Sequence, residues 1–362
     1  EGFRVTPRRV RLVRPLLKAG WSDKGLTLGE LDPLIEEFSK RPPRPDEVGP
    51  EVSVENGRVR LTTPYGQVRL RGDARLEGER LKRLDARVQR SRLAGPDLTA
   101  DLTGGAIRVR TRGDRMHVDA DLTLAEWTSD ALSLNGAKAD IEADLPYPDA
   151  KTRRGDGAVV AILALKAEEL GRDALQTRAT EANLRFEGRS QGWLESWRLA
   201  GSARAYARSG AVQAGALEAR DVRLVWRSAD VAVSGGRAGL AWSAADGSAE
   251  ASGAALRADG VFLQDATVQL ASLDVADPAV GPLAADFSGE AEAARFAQGD
   301  LALRGVVAML EGRLEAPPDG ARLRLAGGLT AADGAFSGLG PAGPEDPPEV
   351  AAAKRAAAGF AL

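Results

Sequence analysis

The chain has 362 residues, 43% of them hydrophobic, and its 49 basic and 52 acidic side chains leave a formal net charge of -3. That balance excludes a nucleic-acid binder built on a concentrated basic face, because such proteins bind by displacing counterions. Cysteine is absent, which removes disulfide frameworks, thiolate nucleophiles and cysteine metal sites together, and no run approaches the ~18 apolar residues of a membrane-spanning helix.

Residues 1–45 read as an N-terminal strand and helix segment. Val10, Leu12 and Val13 alternate first. Leu31, Leu34, Ile35 and Phe38 then follow helical spacing, with Asp32 as N-cap before Pro33. Arg8, Arg9, Arg11, Arg14 and Lys18 form a basic cluster. A solvated edge is its simpler reading, and contact with anionic lipid headgroups is the alternative. No basic stretch followed by an apolar segment precedes the folded part, so the expectation is a fragment whose export signal lies outside it. A Pro-rich connector, RPPRPDEVGP, ends this segment at Pro50.

Residues 46–340 alternate apolar and polar positions persistently, the signature of strands with one dry and one wet face. Val52 and Val54, then Asn56-Gly57, then Val59 and Leu61 read as two strands around a type I′ turn. Val68 and Leu70 follow, with Arg69 and Arg71 on the other face. The same period recurs at Leu98 and Leu102, at Ile107 and Val109, and at Val118, Leu122 and Leu124. It continues at Ile141 and Leu145 and at Val222, Leu224 and Trp226. Gly104-Gly105, Gly113-Asp114, Asn135-Gly136, Gly235-Gly236 and Asp246-Gly247 are read as the turns between strands. Val159 to Leu170 is too continuous for periodicity to decide and is assigned to strand. From about Ala200 the dry positions become small, which leaves unfilled space along an apolar face. Some fifteen to twenty strands at an ~8–12 residue rhythm are expected. Residues 341–362 comprise the Pro-rich PAGPEDPP and the start of an Ala-rich helix, truncated.

Catalytic signatures are missing: no Walker loop, nucleophile elbow, zinc-protease motif or dinucleotide fingerprint is present. His117, Asp119 and Asp121 share strand spacing and offer three donors for a divalent ion, but a solvated polar face is the simpler reading. Three Arg-Gly-Asp triplets, at residues 71–73, 112–114 and 154–156, are read as turn chemistry rather than adhesion motifs. Trp193, Trp197, Trp226 and Trp242 suit boundaries between apolar lining and polar rim. No enzyme activity, cofactor or metal is expected.

Gly25 to Ile35 (GLTLGELDPLI), the Pro-rich stretch after it, and Val52 to Gly78 (VSVENGRVRLTTPYGQVRLRGDARLEG), with Thr63-Pro64-Tyr65-Gly66 its most specific piece, resemble AsmA-like proteins, most closely the YdbH type. The resemblance implies a mostly β fold: a long curved antiparallel sheet forming an elongated apolar groove, with short helices near both ends. It implies a periplasmic segment, anchored to the inner membrane by a region outside this chain, that moves phospholipid towards the outer membrane. Phospholipid, the inner membrane, and outer-membrane or periplasmic proteins are then the expected partners. The expected groove lining is Val59, Leu61, Val68, Leu70, Leu98, Leu102, Ile107, Val109, Val118, Leu122, Leu124, Ile141, Leu145, Val222, Leu224 and Trp226. The alternative is a structural or adhesive envelope β-protein, sandwich or solenoid, without lipid cargo. An outer-membrane barrel lacks its aromatic girdles here, and a glycoside hydrolase lacks its aromatic platforms, with only 3 Tyr.

Overall fold

The computed structural model describes residues 8–22, 25–27, 50–78, 80–95, 98–129, 132–148, 155–172, 175–193, 196–236, 239–278, 281–316, 322–336, 338, 340–341, 343–344 and 346–358. Among them the chain is mostly β, with one helix, α1 (Pro348–Ala358). The helix expected at residues 31–38 lies outside the described residues. Two compact units divide the chain: residues 1–148 with 159–172, and residues 149–158 with 173–362.

The first unit holds β1 (Arg9–Val13), β2 (Leu16–Ser22), β3 (Gly25–Thr27), β4 (Glu51–Thr63), β5 (Gly66–Glu77), β6 (Arg80–Val88), β7 (Ser91–Ala94), β8 (Leu98–Arg112), β9 (Arg115–Ser129), β10 (Ser133–Pro146) and most of β11 (Gly157–Arg172). From β4 onward neighbours are antiparallel, β7 occupying the place beside β8 that β6 leaves open. The expected all-antiparallel pairing fails at one edge. There β1 and β2 run parallel to β4, with Arg9–Val13 beside Glu51–Glu55 and Leu16–Gly20 beside Arg58–Thr62. They form one line of chain, interrupted at Arg14 and Pro15 opposite the irregularity of β4 at Asn56.

The second unit is a meander of β12 (Leu175–Trp193), β13 (Ser196–Ala214), β14 (Leu217–Gly236), β15 (Gly239–Ala258), β16 (Val261–Asp277), β17 (Leu283–Gln298), β18 (Leu301–Ala316) and β19 (Arg322–Phe336). Each strand is antiparallel to the next.

These strands run 15–20 residues, not the expected 8–12, because several apparent turns are bulges inside strands. Asn56-Gly57 is one: β4 continues through it, Asn56 takes φ 53°, the register shifts between Val54 and Gly57, and the Asn56 amide donates to Asp73 Oδ1 at 2.7 Å. Gly104-Gly105, Asn135-Gly136 and Asp246-Gly247 likewise lie within β8, β10 and β15. Positive φ serves a bulge as well as a tight turn, so the dipeptides alone did not distinguish the two. Gly113-Asp114 does turn the chain between β8 and β9, and Gly235-Gly236 ends β14. The hairpin of β4 and β5 turns at Pro64-Tyr65, where Thr63 Oγ1 accepts the Tyr65 amide at 3.2 Å.

In the second unit backbone irregularities align. Ala179, Asp221, Asp265 and Gly305, on β12, β14, β16 and β18, all have φ near +50°. Gly210, Ala254, Ala294 and Ala332, on the strands between, are left out of the ladders at the same level. The result is a continuous line of unpaired small or left-handed residues crossing eight strands. One residue is left out on each side of these ladders, so the register is the same above and below the line while the side chains of both strands change phase together.

Ala179 has no side-chain compensation for its left-handed backbone, which costs an L-residue roughly 1–2 kcal/mol. Ala179→Gly is therefore expected to stabilise by about 0.5–1 kcal/mol after the usual glycine entropy penalty, while Ala182→Gly, at an ordinary strand position, destabilises. Urea midpoints of the two variants check the opposite signs.

Candidate functional site

Register determines which side chains share a face. In the first unit Val59 stands beside Leu70, Leu61 beside Val68, and Leu70 beside Val88. Val109 stands between Leu84 and Val118, and Ile107 between Ala86 and Ala120. Leu122 lies between Gly105 and Ala139, Ile141 between Ala120 and Leu163, and Leu145 beside Met116. Leu124 pairs with Leu102 and Ala137, and Leu98 alternates with Leu102 on the same side of β8. The structure thus brings the expected residues of this unit onto one face. Arg58, Arg60, Arg69, Arg71 and Arg87 occupy the other face with Asp119, Asp121, Asp140 and Glu142.

In the second unit Val222 lies beside Ser209, Leu224 between Ala207 and Ala251, and Trp226 between Ala205 and Ala249. The same face carries residues the sequence reading did not single out, including Val231, Val268, Leu270, Val275 and Leu310. At the level of Gly289 large and small residues alternate from strand to strand. Leu270 stands between Ala249 and Gly289, and Leu310 between Gly289 and Gly327. The period-two runs of Ala and Gly were legible as strands; the neighbour that fills the space beside each was not.

The face is open. No described large side chain is fully buried, and the buried hydrophobics are mainly Ala and Val. On the apolar side Leu224 is 39% exposed, Leu323 60%, Leu325 56% and Leu329 49%. Local clusters do form, around Leu124, Leu134, Ala137 and Ala167 in one unit and around Ala293, Leu303, Val306 and Ala331 in the other. At Gly289 a Cβ would meet Gln269 O at 2.0 Å and Leu270 Cα at 2.7 Å, so the neighbouring backbone closes in on the apolar side. Gly328 belongs to the opposite face, and a Cβ there meets nothing within 4 Å.

The other chemistry weighed from the sequence is not assembled. His117 Nδ1 lies 3.1 Å from Asp144 Oδ1 and Nε2 lies 3.6 Å from Asp119 Oδ2, while Asp121 faces Asp140. Among the described residues no group of three or more His, Asp or Glu is arranged to hold a metal ion. Arg71-Gly72-Asp73 is not a turn but the middle of β5, where the Asp85 carbonyl leaves no room for a Cβ at Gly72. Arg112-Gly113-Asp114 does lie at the β8–β9 turn, and Arg154 of the third triplet is outside the described residues. Trp197, Trp226 and Trp242 belong to the apolar face, with Trp242 Nε1 donating to Asp277 Oδ2 at 2.9 Å; the Trp193 side chain lies outside the described residues. In the N-terminal basic cluster Arg11 grips Glu55 through two hydrogen bonds, of 2.7 and 2.6 Å, and Arg9 reaches Glu51 at 3.4 Å. A depression of about 400 Å³ on the polar side is walled by Val225, Arg227, Glu250, Gln269, Glu290 and Met309 and contains no paired acid and base.

Asp85 is held below the usual carboxylate range: burial pushes it up, but the guanidiniums of Arg110 and Arg83 outweigh burial. Its contribution to stability is present above the ordinary carboxylate pKa and is lost as pH falls through the lowered value.

No family model, curated protein or solved structure matches the chain.

Two outcomes are expected. Gly289→Ala destabilises by about 1–3 kcal/mol, the cost of overpacking, whereas Gly328→Ala is neutral or mildly stabilising, as read from denaturant midpoints. Asp85→Asn flattens the acid limb of a stability-versus-pH profile and changes its neutral limb little in shape.

Proposed function

We propose that the apolar faces of the two units shelter phospholipid acyl chains, and that the chain is a periplasmic, lipid-bridging segment of an inner-membrane-anchored AsmA-like protein of the YdbH type. One observation carries the reading. A face made almost wholly of aliphatic and small residues leaves Leu224, Leu323, Leu325 and Leu329 open to water. Burying a methylene against such a face is worth about 0.8 kcal/mol, so ten methylenes of one acyl chain supply roughly 8 kcal/mol. Eight strands at ~4.8 Å spacing give the second unit about 34 Å across its strands, comparable with the ~30 Å hydrocarbon core of a bilayer. The close approach of the backbone at Gly289 lies on the apolar side, which supports a trough, the AsmA-like β-groove, with its apolar wall facing hydrocarbon and its rim open.

Aliphatic walls recognise volume rather than headgroup, so selectivity among phospholipids is low in this reading. Chemistry is not part of it: the protein binds and moves its cargo unchanged.

Native mass spectrometry with lipid extraction tests the proposal. Phospholipid is expected to copurify with the chain, to be reduced at least tenfold by Leu122→Asp or Leu224→Asp, and to persist in Thr123→Asp and Arg223→Asp, one residue away on the opposite face. A lipid-free protein, or equal losses from both pairs, overturns it and favours a sheet mated with another protein surface.

A further inference from the structure

The polar face of the first unit carries an array that the lipid reading does not use. Lys18, Arg60 and Arg69 stand side by side on β2, β4 and β5. One step along the strands, Arg58, Arg71 and Arg87 stand side by side on β4, β5 and β6. All six are exposed. Like charges directly opposite across strands destabilise a sheet, so this arrangement opposes folding unless a counter-charge relieves it.

Among the described residues no carboxylate lies within ion-pair distance of any of the six. Arg69 reaches only Gln67 Oε1, at 3.3 Å, and Arg71 only Asn56 Oδ1, at 3.2 Å. Of the nearest carboxylates, Glu55 is paired with Arg11 and Asp85 with Arg83 and Arg110; Asp73 accepts the Asn56 amide, keeps its charge and offsets one of the six cations. The acidic residues of β9 and β10 on the same face are two to three strands from Arg87 on β6, the nearest member of the array, about 10–14 Å. That exceeds the ~8 Å screening length at physiological salt, so they do not cancel the array's field.

Bare aliphatic groups border it. Leu16, 40% exposed, lies directly beside Arg58, and Val13, 57% exposed, lies beside Glu55. Cations flanked by exposed aliphatics match a lipid surface, whose phosphates take the guanidiniums and whose interfacial region takes the side chains. A nucleic acid has use for the charges but none for Val13 and Leu16.

We propose that this face of the first unit docks on an anionic lipid bilayer surface through the six-cation array, with Val13 and Leu16 entering the interface. The inference stands whether or not the opposite face holds lipid.

Co-sedimentation with vesicles of phosphatidylcholine alone and of phosphatidylcholine with phosphatidylglycerol tests it. Binding is expected only with phosphatidylglycerol and is expected to weaken with salt. Each cation near an anionic surface is worth about fivefold in partitioning, so Arg60→Ser/Arg69→Ser/Arg87→Ser should bind roughly a hundredfold more weakly. Because it removes repulsion, that variant should melt no lower than the parent. Neutralising Arg185, Arg208 and Arg313, which pair with Glu187, Glu181 and Glu315, should leave binding unchanged. Leu122→Asp should also still bind, which separates this proposal from the lipid-shelter reading. Equal binding to both vesicles, or retention in the triple variant, overturns it. So does a dimer or oligonucleotide complex that the triple variant abolishes while the parent ignores vesicles.

Discussion

The constraint on which both units depend is register. Side chains alternate across a strand, so one extra residue sends every later side chain to the opposite face. Long strands with bulges hold a continuous apolar face only if the sequence changes phase at each bulge, and it does. On β15, Trp242 and Ala244 precede the bulge at Asp246, and Gly247, Ala249 and Ala251 follow with the opposite parity. On β18, Leu301 and Leu303 give way across Gly305 to Val306, Ala308 and Leu310. The backbone irregularity and the hydrophobic phase slip compensate each other, and the face passes through unbroken.

Here the sequence was both informative and misleading. Period-two alternation was enough to recognise most strands; Val159 to Leu170, which periodicity leaves undecided and which is assigned to strand, is part of β11. It also grouped Val59, Leu70, Val109 and Ile141 correctly by parity within each strand. What alternation does not encode is which strand lies beside which, and the parallel docking of β1 and β2 on β4 has no local signature. The misread dipeptides have a physical origin: Asn56-Gly57 and Asp246-Gly247 accommodate positive φ, and a hairpin and a bulge both require it. A phase slip across such a dipeptide, rather than the dipeptide itself, indicates that the strand continues.

Charge pairing on the polar faces follows the same logic. Arg185 with Glu187, Arg313 with Glu315 and Arg83 with Asp85 are neighbours two residues apart on one strand, and Arg208 reaches Glu181 across a ladder. Exposed pairs of this kind each contribute little, but they show that charges here are generally met by an opposite charge nearby. Rows of like charge over three strands recur, as at Arg185, Arg204 and Arg227 or at Arg75, Arg83 and Arg110, but each of those rows has a member paired with a carboxylate; the six cations of β2, β4, β5 and β6 have no such pair among the described residues, and such departures are where selection for binding and selection for stability diverge.

The alternation of large and small residues at the level of Gly289 bears on what completes the apolar face. Two sheets that mate face to face interdigitate side chains from both inner surfaces, filling the space between them to crystal-like density. Leu270 flanked by Ala249 and Gly289, and Leu310 flanked by Gly289 and Gly327, instead place two large side chains about 9.6 Å apart, at twice the strand spacing, with Ala and Gly beside them at this level. A protein layer matched to those gaps needs a complementary side chain at each one, in register across the strands. Flexible hydrocarbon needs no register at all, because its dispersion contacts are non-directional and its chains conform to the gaps they meet. A face that varies in side-chain size but not in polarity therefore restricts a folded partner far more than it restricts a fluid one.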